Sequence, residues 1–549
     1  MFRLITLFVA THVVIGQNFE NVITTRPEVI TSVGKIAGYL KIAAEGTIYS
    51  AFEGIPYAKP PIGDLRFEAP QAAEPWTGTW NATTLHECIQ LSLATSITGQ
   101  EDCLYLNVYV PREQPLSIET MDVIAHIHGG GFMTGSPFSY TLPDYLMDRN
   151  VIFVTFTYRL GVLGFLSTGD EVVPGNNGLK DQQLALKWIQ ENIEYFGGNP
   201  NSVTLTGFSA GAASSHLHYL SPTSKGLFKR GVSHSGSAVN AWALQEDPLS
   251  MAQSLSSELG CSTESNVEMV KCLKERPAKQ ILSKTIKADI IPSLHFVPVV
   301  DGDFLPKSAI EILISGEVPD IPWIFSNTAQ DGLFPGFLLA EHLETLDQNW
   351  NYASRELLQF HSKYSQEKWN EIASAIKEHY LGKNTKFSLD KWQDFVKLIT
   401  ERFFTVDIER AAKLQAKHSK SSVYYYYYNY KSDSTFSDLV APHLPQELKA
   451  IGHGDDILQL YGNVLPNHKL TEDDIKIKNI MLDLLTSFAS TSKPKVSGVT
   501  WNPTESEELT YLNITSPYEI SVLTQSTISQ IDFWNQYDPT EKIVMKDEL

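Results

Sequence analysis

A serine hydroxyl becomes a nucleophile where the backbone holds it clear of its neighbours and a base takes its proton. Ser209 stands at the centre of Gly207-Phe208-Ser209-Ala210-Gly211, between the alternating, β-branched run Ser202–Thr206 and the Ala- and Leu-rich stretch Ala210–Leu220. A strand entering and a helix leaving this pentapeptide form a sharp turn, and glycines two residues either side keep the two elements from colliding. Alone, the pentapeptide also describes an ordinary turn in a chain with 34 glycines. A second motif changes its weight. His128-Gly129-Gly130-Gly131-Phe132 follows the apolar run Val123–Ile127. Consecutive glycines offer no side chains to pack, but they let backbone N–H groups face one cavity that Cβ atoms would obstruct. Such donors stabilise the oxyanion of a tetrahedral intermediate by roughly 2.7–4 kcal/mol each. Together the motifs predict an acyl-transfer site.

That chemistry needs a histidine to accept the serine proton and a carboxylate to orient the histidine. Where the nucleophile sits on a strand–turn–helix elbow, the chain order is Ser, acid, His. His295 comes early for a residue that must follow the acid. Beyond it lie His342, His361, His379, His418, His443, His453 and His468. His361, His379 and His418 fall in charged helical stretches, and His443 lies between Pro442 and Leu444. His453 stands in Ile451-Gly452-His453-Gly454-Asp455-Asp456, where flanking glycines permit a tight loop at a strand end. Asp455 and Asp456 are placed to cap the helix-like run that follows. His453 is therefore the expected base. For the acid, Asp331 precedes Gly332 just after the strand-like Pro322–Phe325, a better position than that of Asp301, Asp303 or Asp320.

The elements that must carry these residues read as alternating strands and helices. Val151–Thr157 is nearly continuous in apolar residues, as a strand covered on both faces requires. Leu179 to Phe196 carries Leu186, Ile189, Ile193 and Phe196 at helical spacing and stops at Gly197-Gly198. The elbow strand follows at once, which predicts right-handed crossovers and a mainly parallel sheet. Val423–Tyr430, with five consecutive tyrosines, reads as a buried late strand. From about Leu338 to Lys420 the pattern is helical and charged, as side helices beside the sheet would be.

The chain has 549 residues, 42% hydrophobic and 11% aromatic, enough for a large core. No linker or repeat divides it, so a single large α/β domain is expected over residues 17–545. Forty-three basic and 63 acidic side chains give a net charge of −20, which argues against nucleic acid as a partner. Arg3 followed by the apolar stretch Leu4–Ile15 reads as a signal peptide ending near Gly16. Lys546-Asp547-Glu548-Leu549 reads as an endoplasmic-reticulum retrieval signal, recognised there by its receptor. No later run is apolar enough for a membrane anchor. In that lumen four cysteines imply two disulfides with three possible pairings, of which the local choice is Cys88 with Cys103 and Cys261 with Cys272. Asn81-Ala82-Thr83 and Asn513-Ile514-Thr515 are glycosylation acceptors.

Phe52–Ala58, Glu101–Val108, His128–Phe132, Asn176–Ile193, Gly207–Gly211, Ser233–Ser237, Phe296–Gly302 and Gly452–Asp455 together resemble the type-B carboxylesterases of the carboxylesterase/cholinesterase family, and insect members in particular. The resemblance spans nearly the whole chain. It implies an α/β-hydrolase fold with a large, mostly parallel sheet, a deep gorge, no metal or cofactor, a small-molecule ester substrate and the two short-loop disulfides. It also implies Ser209 as nucleophile, His453 as base, Gly130, Gly131 and Ala210 as oxyanion donors, and Ser235 as a serine behind the acid. Three positions depart from family patterns. The acid is Asp331 where Glu is common. The Cys88–Cys103 loop has no aromatic residue to hold a choline cation by cation–π attraction, which argues against a cholinesterase. Phe208 precedes the nucleophile where cholinesterases have Glu and juvenile hormone esterases Gln. The expectation is a serine carboxylesterase for neutral, apolar esters. The alternative is a non-catalytic adhesion or binding protein on the same scaffold.

Overall fold

The computed structural model describes residues 26–91, 96–285, 296–359, 364–462 and 470–537. The expected signal peptide, the retrieval signal, His295, His361, His468 and the stretch Ile291–His295 lie outside the described residues.

Among the described residues, eleven strands form the central sheet: β1 (Tyr39–Ile42), β2 (Ile48–Pro56), β3 (Tyr105–Val110), β4 (Met121–Ile127), β5 (Val151–Phe156), β6 (Gly198–Phe208), β7 (Arg230–His234), β8 (Trp323–Thr328), β9 (Val423–Tyr428), β10 (Leu509–Ser516) and β11 (Glu519–Gln525). Their spatial order is β11-β10-β9-β8-β7-β6-β4-β5-β3-β2-β1. The run from β5 through β4, β6, β7, β8 and β9 to β10 is parallel, and the pairs toward both edges are antiparallel. Every residue of β5, β7 and β8 is buried. That is why β5 reads as a nearly continuous apolar run rather than an alternating one.

Both sheet faces are covered. Val123, Ala125, Ile127 and Leu205 point to one core, where they meet α1 (Asn177–Asn192) and α2 (Ala210–Leu220) through Leu179, Leu186, Ala213 and Leu217. Ile124, Val232, Ile324, Tyr424 and Tyr426 point to the other, against a long helix at Glu472–Thr491. The tyrosine run is thus a strand whose residues alternate between two cores. A third cluster, centred on Trp369, Trp392 and Leu398, belongs to helices between Leu333 and Thr400, including α3 (Trp392–Thr400), which leads toward α4 (Val406–His418).

The parallel register decides where chemistry can occur. Gly207 pairs with Ile127, Phe208 with His234, and His234 with Ser326. The carboxyl ends of β4, β6, β7 and β8 therefore lie side by side, at the edge where open α/β sheets hold their ligands. Asn81 is exposed at the end of a short strand in a separate three-stranded sheet, while Asn513 is half-buried on β10. The disulfides are Cys88–Cys103 and Cys261–Cys272, as the local pairing predicted. Among the described residues no helix is long and apolar enough to cross a membrane.

Candidate active site

Ser209 joins β6 to α2 with φ 58° and ψ −121°, a conformation that few non-glycine residues hold without surrounding support. The flanking glycines supply room for it. A Cβ on Gly207 would lie 2.0 Å from Gly211 O, and one on Gly211 would lie 2.1 Å from Ile127 O. The Ser209 N–H donates to His234 O at 2.8 Å, which ties the elbow to the neighbouring strand.

The glycine loop that leaves β4 lies against this elbow. A Cβ on Gly129 would come within 2.5 Å of Phe208 O and 3.0 Å of the Ser209 Cβ. Gly130 has φ 115° and Gly131 φ 62°, and a Cβ on Gly130 would meet Thr134 O at 1.9 Å. Thr134 N–H donates to Gly130 O, closing the turn, while no acceptor among the described residues takes the Gly130 or Gly131 N–H. Ala210 opens α2, so its N–H has no acceptor within the helix. Three backbone donors are thus unclaimed beside one serine. His128, at the start of the loop, is buried and pushed down to about 4 by that burial, so it adds no positive charge near pH 7.

Asp331 and His453 come together from loops after β8 and β9. Asp331 is fully buried; its Oδ2 accepts the Thr328 N–H at 3.0 Å and its Oδ1 meets His453 Nδ1 at 2.8 Å. An ionised carboxylate there accepts only, so the proton sits on Nδ1 and Nε2 carries the lone pair. Among the described residues His453 Nε2 is buried and has no hydrogen-bond partner, a state shared by the Nε2 atoms of His126, His128, His216 and His234. The two loops are joined by the Gln330 N–H donating to Ile451 O at 3.0 Å. Aromatic rings surround the imidazole: Phe208 at 4.5 Å, Phe404 at 4.6 Å and Phe334 at 5.8 Å between centroids. Phe208 immediately precedes Ser209, so that contact places His453 beside the elbow.

The competing residues are engaged elsewhere. Asp301 accepts the Leu305 N–H and pairs with Lys180, and Asp320 accepts the Lys420 N–H. His379 stacks on Phe533, and His443 is exposed. Ser235 is buried in a left-handed conformation, φ 52°, with its hydroxyl unpartnered and its N–H donating to Ser326 O at 2.9 Å. One expectation is corrected. Asp455 and Asp456 do not cap the next helix, whose N-cap is Gly454 at φ 91°. Asp455 instead accepts the backbone N–H groups of Gly452 and Phe436, clasping the His453 loop to a neighbouring one. Burial holds its carboxyl well above the usual range, opposed by those two donors. Asp456 accepts from the Tyr426 hydroxyl at 2.7 Å. The sequence reading also missed Phe404, whose only signal was an aromatic pair, Phe403-Phe404, within a charged helical stretch.

The chain is similar to known proteins along most of its length. A sequence model described as the carboxylesterase family matches residues 25–534. A carboxylic ester hydrolase of Bombus ignitus is 39% identical over 541 residues, covering 95% of this chain and 96% of that protein. Venom carboxylesterase-6 of Apis mellifera is 36% identical, with 92% and 94% covered. A juvenile hormone esterase of Tribolium castaneum is 33% identical, with 93% of each covered. Among solved structures, juvenile hormone esterase from Manduca sexta, with OTFP covalently attached, superposes with a TM-score of 0.84 at 27% identity, covering 93% of this chain and 99% of that one. With an α/β-hydrolase fold and relatives matched along nearly its whole length, this chain belongs to the carboxylesterase family and is a carboxylic ester hydrolase.

Proposed function

We propose that the protein hydrolyses neutral, largely apolar carboxylic esters, such as xenobiotic, odorant or lipid-hormone esters, through an acyl-enzyme on Ser209. The observation that carries the reading is His453: its Nδ1 is held by Asp331 at 2.8 Å while its buried Nε2 is left open beside the residue that precedes Ser209. In the first half-reaction Ser209 Oγ attacks the ester carbonyl as His453 Nε2 takes its proton. The carbonyl oxygen, now an oxyanion, accepts from the N–H groups of Gly130, Gly131 and Ala210. The alcohol departs with the proton from His453, and a water activated by the same nitrogen then releases the acid. Asp331 holds the imidazole in the required tautomer throughout. Ser235, which the family resemblance implies lies behind the acid, contributes orientation rather than bond making. The covalent adduct in the Manduca sexta esterase supports a covalent route here by analogy.

A fluorophosphonate probe and a series of p-nitrophenyl esters test this. Wild-type protein is expected to be labelled, with kcat/KM rising from acetate to hexanoate by up to about 0.8 kcal/mol per buried methylene. Ser209→Ala should abolish labelling and lower kcat by roughly 10⁴–10⁶ while leaving the fold intact. Undiminished hydrolysis in that variant would refute the assignment, and a steady fall from acetate to hexanoate would refute the apolar acyl preference.

The proposed setting is the lumen of the endoplasmic reticulum, with entry through residues 1–16, glycosylation at Asn81 and Asn513, and retrieval through Lys546–Leu549. Removing those last four residues should send the protein to the medium. Equal secretion with and without them would reject retrieval.

A further inference from the structure

Helix α3 does not run straight into α4. Between them Glu401–Thr405 wind as a π-helical turn, with the Val406 N–H donating to Glu401 O five residues back. Such turns insert an extra residue into the helical ladder and concentrate at functional sites. Here the Phe403 carbonyl is claimed by two side chains from a distant segment: Asn240 Nδ2 donates to it at 2.6 Å and Trp242 Nε1 at 2.7 Å. Both belong to the loop that follows β7, and that loop starts against the nucleophile. Gly236 lies so close that a Cβ would come within 2.4 Å of Ser209 O. Asn240 is itself fixed, its Oδ1 accepting from the Ser237 N–H at 2.7 Å and the Ser237 hydroxyl at 2.8 Å. The Ala241 N–H donates to Asp407 Oδ2 at 3.1 Å, just past the turn.

The next residue of the turn is Phe404, whose buried ring lies 4.6 Å from the His453 imidazole and 6.2 Å from the Trp242 ring. Trp242 in turn lies 6.4 Å from Phe132, which closes the glycine loop. Resting on the assignment of His453 as base, we propose that this π-helical turn is a positioning device and Phe404 a positioning residue, aimed at His453 by Asn240 and Trp242. The bond to Asp331 fixes one nitrogen of the imidazole, whereas orientation of the ring plane comes from what packs on it. Phe404 and Phe208 supply that packing from two separate elements. Because one end of the bridge rests on Ser209 and the other on His453, it keeps nucleophile and base in register by a path independent of Asp331. An uninterrupted α-helix would carry one residue fewer through this span. That change would rotate the downstream side chains by about 100° and take the Phe404 ring off the base.

Steady-state kinetics on a p-nitrophenyl ester test the device, with unfolding temperatures recorded for each variant. Phe404→Leu is expected to lower kcat roughly 10- to 100-fold with KM within about two-fold, since misplacing a catalytic group costs rate rather than binding. Phe404→Met, measured alongside, should behave alike and serves where the leucine variant fails to fold. Phe404→Tyr, which keeps the ring, should retain wild-type kcat. Asn240→Ala should lower kcat in the same direction. The double variant Asn240→Ala/Phe404→Leu should be no slower than Phe404→Leu alone, because both act through one ring. Wild-type kcat in the leucine and methionine variants, a loss confined to KM, or losses that multiply in the double variant would each overturn the proposal. A wild-type protein that turned over no ester and left Ser209 unlabelled would instead bring down the assignment of the base, and this proposal with it.

Discussion

His218 and His453 are almost equally buried, 1% and 3% exposed, yet their surroundings treat them in opposite ways. His218 lies in α2, where Ser224 meets its Nδ1 at 2.8 Å and Gln182 its Nε2 at 3.0 Å. Both nitrogens are used. His453 has Asp331 on Nδ1 and nothing on Nε2. A similar contrast separates two of the buried carboxylates, Asp181 and Asp331. Asp181 is saturated by Arg159, which donates from Nε, Nη2 and its backbone N–H at 2.8, 2.7 and 3.0 Å. Asp331 receives one backbone donor and His453 Nδ1. His218 and Asp181 have their hydrogen-bonding capacity filled, as low-dielectric burial demands. His126, His128, His216 and His234, like His453, have no partner at Nε2 among the described residues, and of these five only His453 has Asp331 on its other nitrogen. The candidate site leaves capacity open at one nitrogen and three backbone N–H groups. Unfilled capacity in the interior is costly unless a reacting molecule completes it.

The largest break of this contrast comes from removing the carboxylate's grip on His453. Asp331→Asn preserves shape but presents an amide to Nδ1, favouring the tautomer that places a proton on Nε2. We expect kcat to fall by roughly 10⁴ with little change in the unfolding temperature. A near-wild-type rate in Asp331→Asn, with collapse in another carboxylate variant, would move the acid elsewhere.

What each element demands of its residues also explains what was legible in the sequence. Strands β5 and β9 were readable because strand burial leaves a local imprint of apolar and aromatic residues. The elbow and glycine loop were readable because only glycine tolerates their close approaches. Asp331 and His453, 122 residues apart, were singled out by chain order together with strand-end position and, for His453, flanking glycines. Boundaries were less legible. β6 begins at Gly198, ahead of the β-branched run, because Gly198 already pairs with Met121 through the backbone. α1 ends at Asn192 and passes into a 3₁₀ turn, Ile193–Phe196, that keeps the same apolar spacing. Asp455 looked like a cap, but Gly454 takes the N-cap position and Asp455 turns back to the loop. The π-helical turn left no trace, since a single inserted residue does not disturb apolar periodicity enough to be read.

A smaller break concerns the open donors. Gly130→Ala would place its Cβ 1.9 Å from Thr134 O, at a φ of 115° that alanine resists, so the turn must shift and carry its N–H away. Losing one oxyanion donor should lower kcat by about 10²–10³ while KM changes little. Gly78 offers the control, because it has φ 79° and open space around its Cβ. Gly78→Ala should cost stability from the backbone alone and leave kcat untouched. Equal kinetic losses in the two variants would mean that Gly130 serves only the fold.

The smallest effect sharpens the comparison between the histidines through pH. Burial pushes His216 and His218 down to about 3 from an ordinary 6.5, so both stay neutral in the folded protein through mildly acid conditions. The unfolded chain binds a proton at each from about pH 6.5 downward. Unfolding is therefore favoured as pH falls from 6.5 toward 3, and the stability is fully present above 6.5. By about pH 5 each histidine should have withdrawn about 2 kcal/mol, read as a lowered urea midpoint relative to pH 7. His218→Gln removes one of these groups, so its pH 7-to-5 loss should shrink by that amount even if its stability at pH 7 is lower. Its pH–rate profile should match the wild type, because His218 lies in α2 with both nitrogens engaged by Ser224 and Gln182 and takes no part in the proposed reaction. An unchanged stability slope in His218→Gln would show that other groups carry the acid lability. A displaced pH–rate profile would show that the saturated and open histidines are coupled after all.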